Sequence, residues 1–176
     1  MDRKELATRI YNISHLTGSF TLRSGQVSSE YFDKYLFESD PALLADIASE
    51  MAKLVPEGTE IVAGLEMGGI PIATALSLTT GIPAVFVRKK AKEYGTCKLA
   101  EGLDINGKKL CVIEDVITTG GQVVLSTNDL RGFGAIIGNV LCVIERDSKG
   151  RENLEKEGLK LHSLFTMEEL KESVNR

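Results

Sequence analysis

The sequence predicts an α/β fold, an open and mostly parallel sheet of five strands flanked by helices, on three observations. Short apolar runs at residues 60–64, 84–88, 109–114, 135–145 and 159–164 read as strands. Segments of helical periodicity separate them, and strands that alternate with helices build parallel sheets covered on both faces. The length of 176 residues, 43% hydrophobic and 26% charged, suits one domain (1–176) burying roughly 70% of its unfolded surface rather than two domains.

In chain order, residues 2–16 suit a helix with Leu6, Ile10 and Ile13 on one face. Residues 18–35 then break into short strands rich in Thr, Ser and aromatics around Ser24 and Gly25. These pieces form a small N-terminal hood, about residues 1–36. A core of about 40–176 begins at Asp40 and Pro41 with a helix to about Leu54, followed by strand 60–64, a helix from about Gly69 to Thr79, and strand 84–88. Strand 109–114, helix 122–131, strand 135–145, a short helix near 151–156, strand 159–164 and a helix from Thr166 complete it. Residues 89–106 are the one long irregular segment, and a loop of that length in a compact domain is usually functional or mobile.

Several function classes are disfavoured. The net charge of −4 argues against general affinity for nucleic acid or anionic membranes. No stretch approaches about 18 consecutive apolar residues, and the start carries charges of both signs without an apolar segment behind it, so a cytoplasmic location is expected. Cys97, Cys111 and Cys142 are widely spaced, and His15 and His162 form no ligand cluster, which disfavours a disulfide framework or a zinc site. Cys111 and Cys142 lie in apolar runs and read as small core residues.

The most informative stretch is Val112-Ile-Glu-Asp-Val-Ile-Thr-Thr-Gly-Gly121, an apolar strand that delivers two carboxylates into a hydroxyl- and glycine-rich turn. The turn sits at the carboxyl edge of the sheet, where open α/β folds bind ligands. Thr118, Thr119, Gly120 and Gly121 offer hydroxyls and backbone N–H groups at a helix N-terminus, which favours a phosphate monoester. Glu114 and Asp115 would repel that phosphate and are better placed to accept hydrogen bonds from ribose hydroxyls. The stretch is neither a Walker A loop nor a dinucleotide fingerprint; an ordinary capped strand, turn and helix is the other reading of the same residues.

Three further segments carry chemistry. Arg88, Lys89, Lys90 and Lys92 put four cations into five residues at the end of a strand, beside the proposed phosphate turn. They read either as a solvated run or as groups that neutralise a leaving diphosphate, with Gly95 letting the loop close as a lid. Gly68 and Gly69, ahead of Pro71, end a second strand and can turn backbone amides toward an anion, with Glu66 orienting that loop or a metal-bound water. Arg146 ends another strand at the same edge, where its fork of donors suits a carboxylate; a salt bridge to Glu145 or Asp147 is the alternative.

Residues 112–121 resemble, without a gap, the signature of the type I phosphoribosyltransferases. Phe20-Thr-Leu-Arg-Ser-Gly-Gln-Val-Ser-Ser-Glu-Tyr-Phe32 is similar to the hood of the orotate-using branch of that family, apart from Arg23 in place of Lys and Ser29-Glu30 in place of Ser-Pro. Arg88, Lys89, Lys92 and Gly95 match the branch's lid, with Tyr94 standing where His is frequent. The resemblance implies transfer of ribose 5-phosphate from 5-phosphoribosyl 1-diphosphate (PRPP) to orotate in pyrimidine biosynthesis, with Mg²⁺ held through substrate and water. It implies a PRPP site of Arg88, Lys89, Lys92, Tyr94, Glu114, Asp115, Val116, Ile117, Thr118, Thr119, Gly120, Gly121 and Gln122, with Lys92 and Asp115 catalytic. The orotate site would comprise Arg23, Tyr31, Phe32, Thr118 and Arg146, in a homodimer whose lid reaches the neighbouring subunit. A phosphoribosyltransferase for another base and a PRPP-sensing transcription regulator of the same fold are the rival expectations.

Overall fold

The computed structural model describes residues 2–175. Helix α1 (Arg3–Ser14) starts where Asp2 accepts the Lys4 N–H. A two-stranded antiparallel hairpin follows, β1 (His15–Thr21) and β2 (Val27–Phe32). Then come α2 (Lys34–Ser39), capped by Asp33, and α3 (Pro41–Ala52), capped by Asp40 with proline in its first turn. Strand β3 (Ile61–Leu65) leads into α4 (Gly69–Thr80), and β4 (Ala84–Val87) into the charged loop, which contains β5 (Ala100–Glu101). The chain continues through β6 (Lys109–Ile117), α5 (Gly121–Gly132), β7 (Ile136–Glu145), α6 (Ser148–Lys156), β8 (Lys160–Thr166) and α7 (Met167–Val174), the last opened by a Thr166–Glu169 capping box.

The main sheet has the order β5-β4-β3-β6-β7-β8. Its five expected strands are all parallel, and the sixth, β5, is a two-residue antiparallel addition at the β4 edge. Alternation along the strands divides the core into two layers. Val62, Cys111, Ile113, Leu141 and Val143 face α1, α3, α4 and α7, whereas Ile61, Ala63, Leu110, Val112, Val140 and Cys142 pack toward α5 and α6. Cys111 and Cys142 are thus core residues.

Two local features differ from the sequence reading. Helix α2 falls in what read as strand and connection; six residues are too short for periodicity to reveal. Helix α1 is welded into the first layer by Leu6 and Ile10, each at most 1% exposed and each contributing about 1.5–3 kcal/mol by burial. Only the hairpin behaves as a cover, with most of its residues exposed or half-buried.

Candidate active site

Because β4, β3, β6 and β7 run parallel, their carboxyl ends open on one edge of the sheet. The cationic loop leaves β4 there, the glycine loop leaves β3, the Thr/Gly turn leaves β6, and Arg146 follows β7.

The turn after β6 is built to leave amides free. Gly120 takes the left-handed conformation (φ 76°) and caps α5 without any side-chain hydrogen bond, so the first N–H groups of that helix have no capping acceptor. Thr118 and Thr119 are exposed, as are Gly121 and Gln122, whose amide donates to Ser126 Oγ at 3.1 Å. Helix α6 braces the turn from behind: Asn153 Nδ2 donates to the Thr119 carbonyl at 2.9 Å, and Gly150 lies against the Thr118 carbonyl. Val116 is half-buried, while Ile117 is a core residue whose carbonyl accepts the Arg146 N–H at 2.8 Å.

The acidic doublet is less open than a solvent-facing pair. Asp115 is fully buried, with Lys34 Nζ 2.7 Å from Oδ2 and its own Oδ1 accepting the Val116 N–H at 2.6 Å. Burial opposes ionisation of Asp115, but hydrogen bonds from Lys34 and Glu38 outweigh it and hold the carboxyl below its usual range. Lys34 shows the mirror case: burial acts to lower it, and Asp115 more than compensates. Glu114, half-buried and accepting the Asp115 N–H at 3.1 Å, is pushed up to about 8 by burial and by Asp115. Glu38 is 7% exposed, and burial followed by the adjacent Asp115 raises it to about 9. With Glu38 ionised, both of its buried oxygens would lack a hydrogen bond beside the Asp115 anion; a proton on Glu38 lets one of them donate to Asp115.

The β3–α4 loop closes over this cluster. A Cβ at Gly68 would overlap Asp115 Oδ2, so only glycine permits the approach. The Glu66–Met67 peptide is cis, and Glu66 Oε1 accepts the Lys89 N–H, anchoring the base of the cationic loop. Within that loop Lys92 Nζ and Arg88 Nε reach Glu101 Oε1 at 2.9 and 3.2 Å, and hydrogen bonding from Lys92, then Arg88, lowers the Glu101 carboxyl. Lys89 is exposed, and Tyr94 is 71% exposed with the Lys92 ammonium 5.5 Å from its ring centre. Among the described residues, no three His, Cys, Asp or Glu side chains are grouped to hold a metal ion, and no helix is long and apolar enough to cross a membrane.

A cavity of about 480 Å³ brings Arg23, Tyr31, Phe32 and Arg146 together under the hairpin, with Tyr11, His15 and Lys171 also on its walls. Thr118 is outside that lining. Glu145 is engaged by Arg151 at 2.6 and 3.0 Å and Asp147 caps α6, so among the described residues neither carboxylate pairs with Arg146. The sequence reading passed over Lys34, Glu38 and Lys171. The first two had a visible signal, opposite charges four residues apart directly after the aromatic pair of the hood.

Comparison with known proteins agrees with this geometry. The phosphoribosyl transferase domain family matches residues 37–168. The chain is 55% identical over 165 residues to an orotate phosphoribosyltransferase of Nocardioides sp., covering 94% of this chain and 92% of that protein. It is 46% identical over 153 residues to the orotate phosphoribosyltransferase of Methanocella arvoryzae, covering 87% of each. The crystal structure of Mycobacterium tuberculosis orotate phosphoribosyltransferase in complex with 5-phospho-α-D-ribosyl 1-diphosphate superimposes with a TM-score of 0.83 at 29% identity, over 97% of this chain and 99% of that one. An adenine phosphoribosyltransferase from Trypanosoma brucei, 15% identical with a TM-score of 0.67, shares the fold. A glycine loop, an acidic strand end and a Thr/Gly turn without a side-chain cap on one sheet edge, together with these likenesses along nearly the whole length, show that the chain belongs to the phosphoribosyltransferase family, among the orotate phosphoribosyltransferases.

Proposed function

We propose that this protein transfers ribose 5-phosphate from PRPP to N1 of orotate, releasing diphosphate and orotidine 5′-monophosphate, and that the sheet edge just described performs the transfer. The observation that carries this reading is the convergence of four strand ends, by which the Thr/Gly turn, the acidic doublet, the cationic loop and Arg146 share one sheet edge.

The turn of Thr118 to Gly121, with Gln122, cradles the 5′-phosphate on free amides. Glu114, the more open acid, accepts from the ribose hydroxyls, and Asp115 backs it. As the C1–O bond stretches, positive charge grows on the ribose and negative charge on the diphosphate. Arg88, Lys89 and Lys92 meet the latter, exchanging Glu101 for phosphate oxygens as the lid closes, and Tyr94 adds a hydroxyl donor. Arg146 grips the orotate carboxylate in two parallel bonds, while Arg23 and the rings of Tyr31 and Phe32 hold the base. No side chain needs to act as a nucleophile. The oxygen-rich lining of the site, with Glu114 its more open acid, fits Mg²⁺ arriving with the substrate; when bound, the ion would supply additional charge neutralisation. Likeness to the family supports a homodimer whose lid serves the neighbouring subunit, and work in the cytoplasm.

Mixing the protein with orotate, PRPP and Mg²⁺ and following the loss of orotate absorbance tests the reading. Turnover with orotate that stops on chelation of the metal is expected. Faster turnover with uracil or adenine would reject the base assignment.

A further inference from the structure

We propose that Lys34 and Glu38 are positioning residues for the ribose-holding acids: helix α2 carries them onto Asp115, where a cation and a hydrogen-bond-donating carboxyl fix the orientation and charge of the doublet. The inference rests on the assignment of Glu114 and Asp115 to the ribose made above.

The geometry comes first. Lys34 and Glu38 stand four apart on α2 and therefore share a face. Lys34 reaches Asp115 Oδ2 at 2.7 Å, and Glu38, 7% exposed, has no hydrogen-bond partner for either oxygen unless it shares a proton with that acid. The Gly68 backbone closes the remaining side of Asp115. The charged groups acting on Glu38 are Asp115 and Glu114 of β6 and Lys34 of its own helix. Helices α1 and α3, which also pack on α2, join their Arg9 and Asp46 to each other at 3.1 Å. The cluster is near neutrality with Lys34 and Asp115 charged and Glu38 protonated. Loss of the Glu38 proton adds a second buried anion beside Asp115.

Two consequences follow for the reaction. Asp115 cannot turn toward a new partner while Lys34 holds Oδ2 and Val116 N–H holds Oδ1, so Glu114 beside it is kept in one place to receive the sugar. In addition, Lys34 lies two residues beyond Phe32, which lines the cavity under the hairpin. The ion pair thereby ties the base-holding segment to the ribose-holding strand.

Steady-state kinetics of Lys34→Met, Lys34→Arg, Glu38→Gln and Glu114→Gln test the proposal. Lys34→Met is expected to raise the KM for PRPP roughly tenfold or more, an effect partly reversed in Lys34→Arg, with the folded far-UV spectrum retained. Glu38→Gln keeps a donor that cannot ionise. The ratio of its kcat/KM for PRPP at about pH 9.5 to that at about pH 7 should exceed the wild-type ratio severalfold. A KM within about twofold of wild type in folded Lys34→Met, or matching alkaline limbs in Glu38→Gln and wild type, would overturn the inference. If Lys34→Met does not fold, the alkaline limb alone decides. Glu114→Gln separates the two levels: an unchanged KM for PRPP there defeats the ribose assignment itself, whereas a raised KM there with null results at Lys34 and Glu38 defeats only the positioning role.

Discussion

The lid and the floor of the site each hold lysine against a carboxylate, and the two contacts differ in what surrounds them. At the lid, Lys92 and Arg88 share Glu101 on a sheet edge bordered by solvent. On the floor, Lys34 meets an Asp115 with no solvent exposure, under a glycine backbone and beside a second buried acid. A solvent-bordered pair exchanges partners at little cost, because water and competing anions replace it. An acid with no solvent exposure has no such replacement, and removing its cation leaves a buried charge, at less than the about 3–5 kcal/mol of a fully buried pair because the Lys34 side chain stays 35% exposed. On the proposed reading, similar chemistry thus yields a movable grip at one end of the sugar and a fixed one at the other.

Removing the movable grip should have the largest effect. Lys92→Ala is expected to lower kcat by about 10²–10³, since its charge is needed as the diphosphate departs; a fall in kcat with little change in orotate KM, read from initial rates, would place the loss in the transition state. Disturbing the fixed one should appear in stability. Gly68→Ala forces a methyl into Asp115 and should cost about 1–3 kcal/mol, seen as a Tm lower by about 2–4 °C for each kcal/mol.

Smaller and graded is the dependence on pH. Glu38 and Glu114 are raised in the folded protein, to about 9 and about 8. They keep protons that the unfolded chain releases in the ordinary carboxylate range. Their contribution is fully present below that range and is lost as pH rises through the folded values. The urea midpoint should therefore fall between about pH 6 and about pH 9, less steeply in Glu38→Gln; a midpoint that rises over this interval would contradict the protonated floor. The weakest effect belongs to Glu101→Gln, which frees the lid cations from their resting partner and should lower the KM for PRPP by no more than about threefold.

The sequence made the frame legible wherever periodicity and glycine chemistry agree. β6, its turn and α5 were readable because an apolar run, two threonines and two glycines leave few alternatives, and the five parallel strands followed from their alternation with helices. Helix α2 and strand β5 were not readable. At six and two residues, they exist because tertiary neighbours complete them, α2 through Phe37 in the core and β5 by pairing with β4. The inward aim of Asp115 was hidden for a related reason. Adjacent acids at a strand end look equivalent until a partner from 81 residues earlier, Lys34, takes one of them. By contrast, Arg146 reads from sequence as a choice between a ligand and a local salt bridge, and among the described residues Glu145 is committed to Arg151 and Asp147 to the α6 cap.

The bracing of the phosphate turn by α6 has a consequence for how such a cup is tuned. Asn153 donates to the Thr119 carbonyl, and Gly150 lies against the Thr118 carbonyl and beside Gly120. Substitution at either would tilt the peptide planes whose N–H groups form the proposed phosphate cup. On the proposed reading, affinity for the phosphate is therefore adjustable from a surface helix, without altering any side chain of the turn itself.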